Sequence, residues 1–150
     1  MSKKTPKKAE EQWYLPQDSR THLEKLFKEM PEPVTLEVFT QSGMNDPYNE
    51  AMVAFMRDID RLGEKISLNF NDLHGEKAST YGVSRSPSLL VQPDKYRIRY
   101  TGTPLGEEAR VFIETMMLVS HGKSGLSQSS RDVLAGLKEQ RELKVFISPT

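Results

Sequence analysis

The chain has 150 residues, 36% hydrophobic and 28% charged, enough for one buried core and too few for two. Its 21 Lys plus Arg balance 21 Asp plus Glu, and no apolar run nears the ~20 residues that cross a bilayer, so neither nucleic acid nor membrane is expected as partner. There is no cysteine, which excludes disulfides, thiolate nucleophiles and thiolate metal sites together, and no apolar segment follows the first lysines, so a cytoplasmic protein is expected.

Lys3, Lys4, Lys7 and Lys8 crowd a start almost without apolar side chains, and residues 1–16 are read as a flexible Lys-rich tail. From Asp18, a candidate N-cap, Leu23, Leu26, Phe27 and Met30 recur at helical spacing until Pro31 and Pro33. Val34 to Thr40 alternates, with Val34, Leu36 and Val38 on one face, and reads as a central strand. The polar, turn-rich stretch from Gln41 leads to Pro47 in the first turn of a helix reaching about Gly63, striped by Met52, Phe55, Met56, Ile59 and Leu62. Ile66 to Asn71 resumes a strand, so a right-handed βαβ unit with parallel strands is expected.

A short helix over Glu76 to Tyr81 ends at Gly82. After Ser86 and Pro87, strands Ser88 to Gln92 and Tyr96 to Thr101 form a hairpin turning at Pro93 and Asp94. Thr103 and Pro104 open a helix bearing Leu105, Ala109, Phe112, Ile113, Met116 and Met117, whose methionines read as core packing. A last helix from about Ser127 carries Val133, Leu134 and Leu137, and Lys144 to Ile147 is strand-like.

The run Arg99 to Glu108, through Tyr100, Gly102, Pro104, Gly106 and Glu108, resembles a strand-to-helix segment shared by two families. These are the glutaredoxin-like protein disulfide oxidoreductases and the N-terminal domain of the alkyl hydroperoxide reductase flavoprotein subunit. The resemblance covers residues 18–150. It implies a thioredoxin-like α/β fold, a four-stranded mixed sheet flanked by helices, with an extra N-terminal helix, a C-terminal linker helix and an orphan strand. Residues 17–125 would form a thioredoxin-fold domain lacking the redox motif, and residues 126–150 the linker helix and first strand of a second thioredoxin unit. The partners implied are that second unit, and thioredoxin reductase-like or dithiol/disulfide proteins; no cofactor is implied.

In those families a strand resembling Val145 to Thr150 is followed by Cys-Pro-Tyr-Cys. Three explanations fit a sequence stopping there: a selenocysteine UGA codon read as a stop, a chosen boundary, or a genuine truncation. Without its sheet, Lys144 to Ile147 is expected to fray, or to pair with an edge of the first unit or another chain.

Aligning Val38 and Phe39 with the families' first strand sets Asp46, Pro47, Tyr48 and Asn49 on the redox motif, keeping its Pro-Tyr interior and replacing both cysteines. The chemistry implied by the resemblance needs a thiolate at a helix N-terminus and a second thiol to resolve the mixed disulfide. Asp46 and Asn49 cannot supply either, so no catalytic residue and no activity of this chain alone are expected. Asp46 is read as an N-cap with Pro47 at the first helical position, and a metal site from Asn45, Asp46 and Asn49 is the sharper alternative.

Pro87 falls on the families' cis-proline, which would place the Ser86 backbone beside the redox loop, able to pair with an extended peptide; a trans proline starting a strand is the alternative. His22, His74 and His121 lack ligand spacing, so no metal is expected, and turn chemistry accounts for Asn71, Asp72, His74 and Gly75. Three functions compete: the redox-inactive half of a thiol-disulfide oxidoreductase, a stand-alone peptide or protein binding module, and the front-end domain of a peroxide-reducing flavoprotein system. The last needs a flavin domain, and this chain carries no dinucleotide-binding glycine pattern.

Overall fold

The computed structural model describes residues 12–148. A helix α1 (Gln17–Phe27) leads to strand β1 (Val34–Thr40), helix α2 (Asp46–Leu62) and strand β2 (Ile66–Asp72). Then come helix α3 (Glu76–Thr80), strands β3 (Ser88–Val91) and β4 (Ile98–Thr101), and helices α4 (Glu107–His121) and α5 (Gln128–Ala135). The sheet runs β2-β1-β3-β4, with β1 parallel to β2 and antiparallel to β3, and β3 antiparallel to β4. This is the mixed four-stranded sheet that the sequence predicts.

Alternation along β1 divides the core between the two faces. Val34, Leu36 and Val38 face Phe27 of α1, Met52, Met56 and Ile59 of α2, and Phe112 and Met116 of α4. Phe39 sits on the other face in a smaller cluster with Ala78, Val83 and Leu90, under α3. The central strand is therefore covered on both sides. No described helix is long and apolar enough to cross a membrane.

Several boundaries differ from those the sequence predicts. Helix α1 starts at Gln17 after Pro16, with Asp18 inside its first turn, because Arg20 N–H already donates to Pro16 O at 3.0 Å. Tyr96 and Lys95 both donate backbone N–H to Gln92 O, so the hairpin turn extends past Tyr96 and β4 begins at Ile98. Thr103 and Pro104 do not open α4: both are buried in the preceding turn, and Gly106, at φ 58 and ψ −129, separates them from the helix.

The expected tail is corrected in part. Residues 1–11 lie outside the described residues, but the segment from Gln12 to Pro16 is anchored on α2. Asp58, fully buried, accepts from Tyr14 N–H at 2.8 Å and Leu15 N–H at 2.7 Å, and also takes the Arg61 guanidinium. Trp13 lies between two guanidinium groups, Arg20 at 4.6 Å and Arg61 at 4.2 Å from its ring. The Asp58 carboxylate thus fastens the middle of the strap at Tyr14 and Leu15, and the two guanidinium groups hold Trp13.

At the other end, α5 is capped by Ser127, whose hydroxyl accepts from Ser130 N–H at 3.2 Å. No α5 residue is buried. Among the described residues Lys144 to Ile147 forms no strand, and Phe146 is 89% exposed.

Removing the Asp58 carboxylate should undock the strap. Asp58→Ala is expected to lower unfolding free energy by about 2–3 kcal/mol, the scale of hydrogen bonds to a charged group. The emission of Trp13, the single tryptophan, should shift to the red before global unfolding; an unshifted spectrum would refute the anchoring role.

Candidate functional site

The site forms where β1 runs out and α2 begins. The turn between them contains Asn45, whose φ of 59 and ψ of 34 lie in the left-handed region that asparagine tolerates better than most side chains. Asn45 is the N-cap, and its carbonyl accepts from the N–H groups of Tyr48 and Asn49, both at 3.0 Å. Asp46 is therefore already helical and does not cap α2 as the sequence predicts. Its carboxylate reaches back to accept from Gly43 N–H at 2.7 Å, closing the turn from the other side.

Asn49 is the buried member of the predicted quartet, while Asp46, Pro47 and Tyr48 are exposed. Its amide nitrogen donates to Gln41 O and Met44 O, each at 2.8 Å, and its Oδ1 accepts from the Ser86 hydroxyl at 2.6 Å. Ser86 Oγ accepts in turn from Gln41 N–H at 2.8 Å. Both hydrogens of the amide, its oxygen and the serine hydroxyl are therefore engaged, so burying them carries no unpaired polar group. Ser86 is 4% exposed, and the Ser86–Pro87 peptide bond is cis.

The sequence reading missed Asn45 as a partner of Ser86: Asn45 Nδ2 donates to Ser86 O at 2.8 Å. Only the fold brings these residues together, 41 positions apart. It also missed Glu37, a buried carboxylate on β1 that accepts from Asn69 Nδ2 at 3.0 Å, Asn71 Nδ2 at 2.7 Å and Lys77 Nζ at 2.8 Å. The hydrogen bond to Glu37 raises the Lys77 pKa above its ordinary value. The signal was present as a lone charge in an apolar strand whose partner strand carries two asparagines.

The conspicuous run ending at Glu108 reaches the site through Thr103 and otherwise ties neighbouring elements together. Arg99 donates to Gly82 O and Tyr81 O at 2.8 and 2.6 Å, tying β4 to the end of α3. The Tyr100 ring meets Phe112 edge-on at 5.6 Å, and its hydroxyl lies 3.1 Å from Thr115 Oγ1. Gly102, at φ 107, makes a turn that L side chains rarely adopt. Thr103 Oγ1 donates to Tyr48 O at 2.6 Å, pinning the first turn of α2. Burial raises the Glu108 carboxyl pKa above the ordinary range.

An open groove of about 520 Å³ follows α2 away from this loop, lined by Gln41, Asp46, Asn49, Glu50, Val53 and Arg57 among others. The histidines, read from the sequence as lacking ligand spacing, do not line it. His22 lies on α1, His74 in the turn where Asp72 Oδ1 accepts its N–H at 2.7 Å, and His121 at the end of α4. Among the described residues, no group of three or more His, Asp or Glu is placed to hold a metal ion. The Asn45 and Asn49 amides are directed to backbone and serine partners.

No protein-family model matches the chain, and no curated protein matches it. Solved structures do. A protein disulfide oxidoreductase from Aeropyrum pernix superposes with a TM-score of 0.72 at 27% identity, over 82% of this chain and 55% of that one. The alkylhydroperoxide reductase AhpF of Enterococcus faecalis gives 0.70 at 23% identity, over 84% of this chain and 62% of that one. The NTD_N/C domain of the same reductase gives 0.67 at 25% identity, over 81% and 61%. The fold is thioredoxin-like, and this chain spans roughly half to three-fifths of the length of these neighbours.

One substitution tests how the loop is held and a second tests the burial of Glu108. Asn49→Ala removes two donors and the acceptor of a buried hydroxyl, and should cost about 2–4 kcal/mol in denaturant unfolding; a cost below about 0.5 kcal/mol would refute the brace. Glu108→Gln tests the sign of the burial effect. A raised folded-state pKa favours the neutral form, so the charge is a cost at neutral pH that fades as pH falls through that pKa. The variant should melt slightly above the parent at pH 7, with the gap closing below the ordinary carboxylate pKa of about 4.

Proposed function

We propose that this chain is the redox-inactive thioredoxin-fold half of a cytoplasmic thiol-disulfide oxidoreductase. Its reactive Cys-Pro-Tyr-Cys or selenocysteine-containing site would lie in a second thioredoxin unit following Thr150. The observation that carries the reading is the substitution chemistry at the start of α2. Where a thiolate and its resolving thiol would sit stand Asp46, turned to Gly43 N–H, and Asn49, buried and bonded to Ser86, Gln41 and Met44. Neither can form a mixed disulfide, so the half serves as scaffold and docking surface for its active neighbour and for dithiol or disulfide protein partners.

A second observation supports a neighbouring unit. Val133 and Leu134 of α5, and then Val145, Phe146 and Ile147, expose apolar side chains that a following domain would cover. The front-end domain of a peroxide-reducing flavoprotein system is the second reading, favoured by the two alkylhydroperoxide reductase neighbours. It differs in requiring a flavin domain downstream.

Mass spectrometry of the protein isolated from its own cells tests the reading. The expected species is much heavier than 17.1 kDa, contains a cysteine or selenocysteine pair beyond Thr150, and reduces insulin with dithiothreitol. The 150-residue chain alone should leave insulin reduction at its uncatalysed rate. A native protein of 17.1 kDa would overturn the two-unit reading, and bound flavin would select the flavoprotein alternative.

A further inference from the structure

With seven methionines and no cysteine, all the sulfur of this chain is thioether. Met1 lies outside the described residues. Met30, Met52, Met56 and Met116 are at most 1% exposed and pack in the larger core, and Met117 is partly buried against it. Met44 differs. It is 50% exposed, in the turn between β1 and α2, and belongs to neither core cluster.

A peroxide oxidises a thioether by two electrons. The sulfur lone pair attacks one peroxide oxygen, the O–O bond breaks as the S–O bond forms, and the departing oxygen takes up a proton to leave as water or an alcohol. A thiol must ionise before it reacts, but a thioether needs no such activation, so access to the sulfur decides which methionine is attacked first. The sulfoxide is polar, and in the core it would be buried among apolar neighbours; at Met44 it faces water.

The turn is held without the Met44 side chain. Met44 O accepts from Asn49 Nδ2 at 2.8 Å, and Gly43 N–H donates to Asp46 Oδ1 at 2.7 Å. Adding oxygen to the exposed sulfur therefore breaks neither of the bonds that shape the loop.

We infer that Met44 is a modification site: a peroxide converts its thioether to the sulfoxide ahead of the core methionines and without unfolding the chain, and a methionine sulfoxide reductase returns it. The inference goes beyond the function proposed above and does not depend on a second unit, so the two can fail separately.

The full chain is treated with hydrogen peroxide, quenched with catalase at intervals, and mapped by tandem mass spectrometry that assigns each added oxygen to its methionine. Met44 should gain oxygen about tenfold faster than Met52, Met56 or Met116 while the chain is folded, and at a rate similar to theirs in denaturant, where burial no longer protects them. The singly oxidised protein should keep the parent's melting midpoint, and reductases for both sulfoxide epimers, supplied with a dithiol, should remove the oxygen. Met44→Leu should abolish the fast phase and leave the core rates unchanged. Equal rates in the folded chain, a rate difference that persists in denaturant, a fall in the midpoint with the first oxygen, or resistance to the reductases would overturn the inference.

Discussion

The central strand β1 has no side open to water. It lies between β2 and β3, sends Val34, Leu36 and Val38 into the larger core, and sends Phe39 into the smaller one. Glu37 shares that second face and must be fully partnered there, which Asn69, Asn71 and Lys77 accomplish. Wherever β1 ends, the chain must leave the sheet and restart a helix in a few residues. That constraint fixes the place of the candidate site.

The restart is held by polar groups. Asn49 reaches from α2 to Gln41 and Met44 in the turn and to Ser86 before β3, so a single amide joins three segments. A redox loop of the kind the resemblance implies must open and close a covalent bond, and its thiolate must stay reachable. A buried amide with every polar atom engaged favours one closed arrangement.

The elements legible in the sequence were those whose residues carry their own periodicity. The Met52, Phe55, Met56 and Ile59 stripe and the alternation from Val34 to Val38 marked α2 and β1 correctly, because burial of one face demands those spacings wherever the elements pack. Element ends were less legible. Asp18 and Asp46 both looked like N-caps, yet Pro16 and Asn45 took those places, since capping depends on backbone angles that neighbouring segments impose. Trp13 and Tyr14 looked like part of a tail because the carboxylate that holds the strap lies 44 residues from Tyr14 in the chain.

The sequence by itself determined the absence of thiol chemistry in this chain, the strand and helix order, and the run from Arg99 to Glu108 that carries the family resemblance. Each is a property of residue type or local spacing, which survives without coordinates. Tertiary structure alone decided that Asn49 meets Ser86, that Asn45 covers the Ser86 carbonyl, and that Glu37 and Asp58 are buried with partners. Hydrogen bonds across 32 to 44 residues leave no local pattern, because their geometry exists only once the sheet brings distant turns within about 3 Å.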